Sequence, residues 1–356
     1  MDGYYLPLTD DQASELRANE AFIRRAALVD APFMLKGSYV TRQYFHDKRA
    51  RIPGDLDWVY LEPLADVPAA RSVFDAWANA VTNEHVADGV VFENFLKNAF
   101  WRSIDYAMAE DFPTVNTDLI CYVDGEEVAL SIDISFNLGG GQRPVTLRYE
   151  PLTGAPFEVP RTVPISLQVS WKIHQTLVRP RFKDLFDLMH LVRHKDFSPR
   201  ARAQCLQALM DECAADGLKP EKLLCFFNHQ LEYLYPPHSF EENWKHWRFR
   251  NHSSFSHHHD VVEYEQAHRI TDADRLPGLL SQFVEQWSAA LTEAGLGASA
   301  LQELPPPTRA RHGGEPSQSD VMTEDTEAEV VDTAPTSSLL ERFRAWLGIK
   351  KEGNNS

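Results

Sequence analysis

The sequence is poor in cysteine, in long apolar runs and in positive charge, and each shortage excludes something. Its 356 residues hold four cysteines, Cys121, Cys205, Cys213 and Cys225, with no CxxC pair and no metal-ligand spacing. A disulfide scaffold and a structural zinc site are therefore not expected. No apolar stretch approaches the roughly 18 residues of a membrane-spanning helix. The opening MDGYYLPLTDDQ has no basic segment leading into an apolar one, so no export signal is read and the thiols are expected reduced, in the cytoplasm. Basic side chains number 35 against 52 acidic ones, for a net charge of −17. Such a chain is a poor general binder of nucleic acid, because phosphate contact needs cations. What remains is a globular protein long enough for one large or two modest domains.

The charge is unevenly spread. Residues 140–185 carry Arg143, Arg148, Arg161, Lys172, Arg179, Arg181 and Lys183 against only Glu150, Glu158 and Asp184. A basic face on an acidic molecule steers an anionic substrate into one cleft, although ordinary surface charge gives the same count. From Leu304 the composition turns to Pro, Ser, Thr, Asp and Glu without apolar periodicity, which predicts a disordered linker over 304–337. A tail helix is expected over 338–350, where Leu339, Leu340, Phe343, Trp346 and Leu347 fall on one face. A tethered amphipathic helix docks on a partner, on a membrane surface or back on its own domain.

The rest divides into an α+β half, 1–165, and a helical half, 166–303. The fold class read from the patterns is α+β: a small mixed β-sheet with helices, then a C-terminal helical bundle and a disordered tail. Helices are expected over 10–30, from 37, over 66–81 and 92–109, and near 167–178, 183–194, 198–215, 219–232 and 277–295. Leu56 to Leu61 reads as a strand. Thr117 to Val123 and Glu127 to Phe136 read as a hairpin turned at Asp124-Gly125. The proline-rich stretch 144–165 reads as irregular edge strands and turns.

Three pieces carry chemistry. Gly37-Ser38 follows an apolar segment and opens a helix pattern, where free N–H groups, a close-approach glycine and a hydroxyl suit a phosphate. Asp55 and Asp57 open a strand at i and i+2, so both carboxylates project to one face and need a cation between them; Mg²⁺ favours such hard oxygen ligands. Asp133 lies mid-strand opposite Leu130, Ile132 and Ile134, a costly position unless solvated or ligating. Individually each is ordinary, a DxD at a strand mouth being common turn chemistry. In the order GS, DxD, strand Asp they match the pattern of the DNA polymerase β-like nucleotidyltransferase superfamily.

The segment SWKIHQTLVRPRFKDLFDLMHLV narrows this. It resembles the block K-x6-R-x3-R/K-D-x-Y/F-D-L of the AbiEii/AbiGii nucleotidyltransferase toxins of bacterial toxin–antitoxin and abortive-infection (phage defence) systems. The matching positions are Lys172, Arg179, Lys183, Asp184, Phe186, Asp187 and Leu188, with Phe33 to Ser38 and Arg51 to Asp57 matching upstream. Departures are a 16-residue gap between Ser38 and Asp55, Pro53 where Ser or Thr is common, and Lys183 where Arg is commoner.

The resemblance implies an NTP-dependent nucleotidyltransferase with two Mg²⁺ ions on Asp55 and Asp57, and with Asp133 as a third acidic ligand or the base for an attacking hydroxyl. Gly37 and Ser38 would hold the triphosphate, Lys172 and Arg179 its phosphates, and Asp184 with Asp187 would position the nucleotide or its base. It also implies a cognate antitoxin and an acceptor such as the tRNA 3′ end. Competing readings are a catalytically inactive interaction protein working through its tail helix, and a small-molecule or protein nucleotidyltransferase. The histidine-rich stretch with His246, His252, His257, His258, His259 and Asp260 lacks a zinc spacing, and its HSSFSHHH part, 252–259, reads as a loop. Trp244 and Trp247 read as core residues of a helix rather than a base-stacking platform.

Overall fold

In a computed structural model, the described residues are 10–48, 50–54, 56–98, 102–104, 114–136, 141–252 and 276–308. Asp124 and Gly125 take φ of 52° and 94°, the mirror-image turn whose twist suits a hairpin. They join β5 (Thr114–Val123) to β6 (Glu126–Ser135), whose ladder runs from Val115↔Ile134 to Val123↔Glu126. Around this hairpin stand β1 (Phe33–Leu35), β2 (Leu56–Tyr60), β3 (Val90–Phe92), β4 (Arg102–Ile104), β7 (Val145–Tyr149) and β8 (Phe157–Thr162). The sheet order is β3-β5-β6-β2-β1-β8-β7, with β4 pairing β5 off that path. β2 runs parallel to β6 and β1 to β8, and the other pairs are antiparallel. The mixed sheet with helices is the α+β architecture expected, on a larger sheet than the sequence suggested.

One face of the sheet is covered by α1 (Asp10–Ala26) and α3 (Val67–Asn83). Phe22 of α1 meets Trp58, Trp77 and Phe92 edge-on, and Phe33 stacks on Trp77 at 4.1 Å. Each such ring pair adds about 0.5–1.5 kcal/mol beyond burial. α3 starts where a rule of local chemistry puts it: Asp66 accepts a hydrogen bond from the Ala69 amide, with proline in the first turn.

Two expectations are corrected. Of the helix read over 92–109, the described residues form instead the end of β3, a single turn α4 (Phe95–Asn98) and β4, while 99–101 and 105–109 lie outside the described residues. Val90 and Phe92 are buried while Val91 is exposed, a period of two, and Asn94 then accepts from the Leu96 amide and starts a new turn. In the stretch 144–165, β7 is the irregular edge strand expected, but β8 lies inside the sheet, next to β1, and the two form a hairpin. Pro160 lacks an N–H, and the ladder shifts register across from it, between Val145 and Leu147.

The helical half holds α5 (Ile165–Val178), α6 (Phe182–Leu191), α7 (Pro199–Ala215), α8 (Pro220–Phe227), α9 (Phe240–His252) and a helix over Leu280–Glu293. Ser198 caps α7 through the Ala201 amide. Phe182 sits at the centre of an aromatic cluster with Tyr235, Phe240, Trp244, Trp247 and Phe283; Trp244 is a core residue and Trp247, half-buried, packs against the core. Beyond Leu304 the chain still lies along α7: Gln207 donates to the Pro306 carbonyl, and Thr308 donates to Asp211. The four cysteines are free thiols. The tail helix expected over 338–350 and His257 to Asp260 lie outside the described residues.

Candidate active site

β2 and β6 bring together two acids that lie far apart in sequence. In this parallel pair Asp57 is in register with Asp133, and registered residues on strands about 4.8 Å apart project to the same face. Their neighbours Leu56, Trp58, Ile132 and Ile134 are buried in the core, which leaves the two carboxylates on the face away from α1 and α3. Asp133 is 4% exposed. Two carboxylates so close repel one another unless cations intervene. The Lys36 ammonium stands 3.2 Å from Asp57 Oδ1. Asp55 lies outside the described residues; among those described, no three His, Cys, Asp or Glu side chains form a metal-holding group.

The Gly37-Ser38 turn is pressed onto Asp57. Gly37 has φ of 73°, and a Cβ placed on it would lie 2.0 Å from Asp57 Oδ2. The helix expected from 37 is short: α2 (Gly37–Thr41) followed by a 3-10 turn, Arg42–Tyr44. Its macrodipole is correspondingly small, so any phosphate contact rests on individual peptide N–H groups. The Ser38 hydroxyl is buried and accepts from the Gly54 amide at 3.2 Å. It thereby ties the turn to the loop that leads into β2. From the other side, Gln168 of α5 donates to the Gly37 carbonyl at 3.1 Å and to Thr41 Oγ1 at 2.7 Å. Arg42 is anchored by a buried 2.6 Å bond to Glu20 of α1.

Lys172 lies one helical turn beyond Gln168 and is held by two carboxylates, Asp184 at 2.7 Å and Asp187 at 2.8 Å. Arg181 holds Asp184 at 2.6 Å, and Arg51 holds Asp187 at 2.6 Å. Asp184 and Asp187 are wholly buried and Arg51 is 2% exposed. Burial opposes ionisation of Asp184, but the Arg181, Lys172 and Lys183 cations outweigh it and hold its carboxyl well below the usual range. Burial, reinforced by Arg181, pushes the Lys183 ammonium well below the ordinary lysine value. Arg179 does not share this network: α5 ends at Val178, and Arg179 leaves it in a non-helical conformation with an exposed side chain.

The structure thus unites Gly37, Ser38, Asp57 and Asp133 around one point, and Lys172, Asp184 and Asp187 in an adjoining charge network. Lys36, Arg51, Arg181 and Gln168 were not singled out from sequence. Lys36 and Arg51 stood inside the motifs already quoted and carried a signal; Gln168 carried none.

The family model for the nucleotidyl transferase AbiEii toxin, of type IV toxin–antitoxin systems, matches residues 22–260. The chain belongs to this family. It is a nucleotidyltransferase of the toxin–antitoxin kind, a family that uses a nucleoside triphosphate and a divalent metal and has an antitoxin as partner. Among solved structures, JHP933 from Helicobacter pylori is similar at 14% identity and a TM-score of 0.41, over 83% of this chain and 97% of that one. The nucleotidyltransferase toxin MenT4 of Mycobacterium tuberculosis H37Rv is similar at 13% identity and a TM-score of 0.45, over 82% of this chain and 91% of its own. No curated protein matches the sequence. Among the described residues no helix is long and apolar enough to cross a membrane.

Proposed function

We propose that this member of the AbiEii family is a bacterial toxin that transfers a nucleoside monophosphate from an NTP to the tRNA 3′ end, with Mg²⁺ as its metal. The observation that carries the reading is the register of Asp57 against Asp133 on adjacent parallel strands, with a glycine turn in contact with Asp57. The donor set is two carboxylates on one face, hard oxygen donors that fit Mg²⁺. Asp57 and Asp133, joined by Asp55, would hold the metal; bound there, it supplies charge neutralisation and activation of the attacking hydroxyl.

The chain's own groups do the rest. Gly37 and Ser38 present peptide N–H groups to the triphosphate, and Lys36 adds a cation beside Asp57. Lys172 offsets charge developing on the transferred phosphoryl group. Asp184 and Asp187, being buried, act on the nucleotide through Lys172 by fixing its ammonium. Arg143, Arg148 and Arg179 are exposed and in no salt bridge among the described residues, and they offer an RNA backbone its contacts together with Arg179's phosphate role. The working division is a nucleotidyltransferase core over 1–165, a helical domain over 166–303, a linker over 304–337 and a partner-docking tail helix over 338–350. The setting is the cytoplasm, in phage defence with a cognate antitoxin.

The test is transfer of label from each α-32P NTP, with Mg²⁺, into total RNA and protein of a bacterial lysate. Wild type is run beside Asp57→Ala. Asp57-dependent label in a tRNA-sized band is the expected outcome. Label in protein replaces the acceptor, and no label with any NTP refutes the catalytic assignment of these residues.

A further inference from the structure

Gln168 has no place in the sequence motifs, yet it occupies an unusual position. It is 2% exposed, and its Nε2 donates both to the Gly37 carbonyl and to Thr41 Oγ1. Thr41 Oγ1 in turn donates to the same Gly37 carbonyl at 2.9 Å. The amide oxygen of Gln168, Oε1, is buried without a hydrogen-bond partner. A buried unsatisfied oxygen costs stability, and an apolar side chain of the same length would fill the space without that cost. The residue is therefore poorly explained as packing.

Its geometry supplies the explanation. Position 37 must be glycine, because any Cβ there would strike Asp57. Glycine, however, puts no Cβ restraint on its φ and ψ, so the orientation of the peptide that follows it depends on what holds its carbonyl. In a planar trans peptide the carbonyl and the following N–H point in opposite directions. Gln168, holding the Gly37 carbonyl from the α5 side beside the Thr41 hydroxyl of the same turn, therefore turns the Ser38 N–H the other way, off the α5 side. Resting on the nucleotidyltransferase reading above, we propose that Gln168 is a positioning residue for the NTP, clamping the Gly37-Ser38 peptide so that its N–H is held ready for the triphosphate. Lys172, at i+4 on α5, shares this helix face, so one helix governs both the turn and the phosphate-directed cation.

The test uses the full chain with Gln168→Met, which keeps length and removes the donor, and Gln168→Glu. Binding of a fluorescent NTP with Mg²⁺, steady-state KM and kcat, and thermal melting are measured. For Gln168→Met, Kd and KM for the NTP rise about tenfold or more, the worth of the charge-assisted bond from the Ser38 N–H to the triphosphate that is no longer held in place, while kcat changes little and the melting temperature is kept or raised. In Gln168→Glu the introduced carboxylate cannot donate at neutral pH. Burial raises the pKa of such a carboxyl, and it regains a donor on protonation, so the affinity ratio to wild type recovers as pH falls below neutral.

Wild-type NTP affinity in Gln168→Met overturns the proposal and leaves the enzyme reading standing. Should that variant fail to fold, a pH-independent affinity ratio in Gln168→Glu overturns it instead. A wild-type chain that binds no NTP removes both the enzyme reading and the proposal.

Discussion

Replacing Gly37 by alanine separates backbone strain from displacement of the metal-facing acid. The native φ of 73° lies in the left-handed region, which costs a residue with a Cβ about 1–2 kcal/mol. For a chain of this size that is a fall of a few °C in melting temperature. The steric effect is larger. The new Cβ would lie 2.0 Å from Asp57 Oδ2, and real Cβ contacts do not fall under 3.0 Å, so the carboxylate or the turn must move by at least 3.0 − 2.0 = 1.0 Å. Asp57 is short and already engaged by Lys36, so it cannot yield without leaving its place opposite Asp133. A misplacement of about 1 Å at a reacting centre costs on the order of a hundredfold in rate.

Gly125→Ala provides the control. Its φ is 94° and no atom lies within 4 Å of the added Cβ, so it carries comparable strain and no clash. Label transfer from NTP and thermal melting, measured on both variants, should show similar small losses of stability and a rate loss in Gly37→Ala alone. Activity of Gly37→Ala within about threefold of wild type, or equal losses in both variants, would refute the argument.

Three other outcomes follow from the same structure. Arg51→Met leaves Asp187 buried with one cation fewer and should cost about 3–5 kcal/mol in urea unfolding; adding Asp187→Asn should recover part of it, and strictly additive losses would show that the pair does not act as a unit. Asp133→Asn should abolish label transfer with only a small change in melting temperature, and retained transfer would remove Asp133 from the site. Burial pushes the His190 imidazole down to about 4, against a weaker opposing effect of Asp187, where it stacks on Phe45 at 4.2 Å. The unfolded chain then binds a proton below about pH 6.5 that the folded chain refuses until about pH 4. Stability should fall across that window by up to about 3 kcal/mol, and His190→Phe should flatten the fall. An unchanged pH profile in that variant would assign it to other groups.

Local rules made much of the fold legible. The Asp124-Gly125 pair dictated its hairpin because both residues tolerate positive φ. The α6 segment carries its apolar period openly, and the GS, DxD and K…R…D blocks point to the chemistry from the sequence alone. The same rules failed over 92–109, where a short edge strand and a single turn mimic a helical period, and at Pro160, where a proline sits inside a sheet because β8 pairs with β1 only at Leu35↔Thr162.

The sequence by itself therefore determined most of the elements and the motif residues of the site, since capping, turn and periodicity effects act within a few residues. Only the tertiary structure decided that Asp133 stands beside Asp57, that Asp184 and Asp187 face Lys172 and two arginines rather than solvent, and that Gln168 grips Gly37. Those are contacts between elements far apart in the chain. They depend on strand order, register and the docking of α5, which no local pattern encodes.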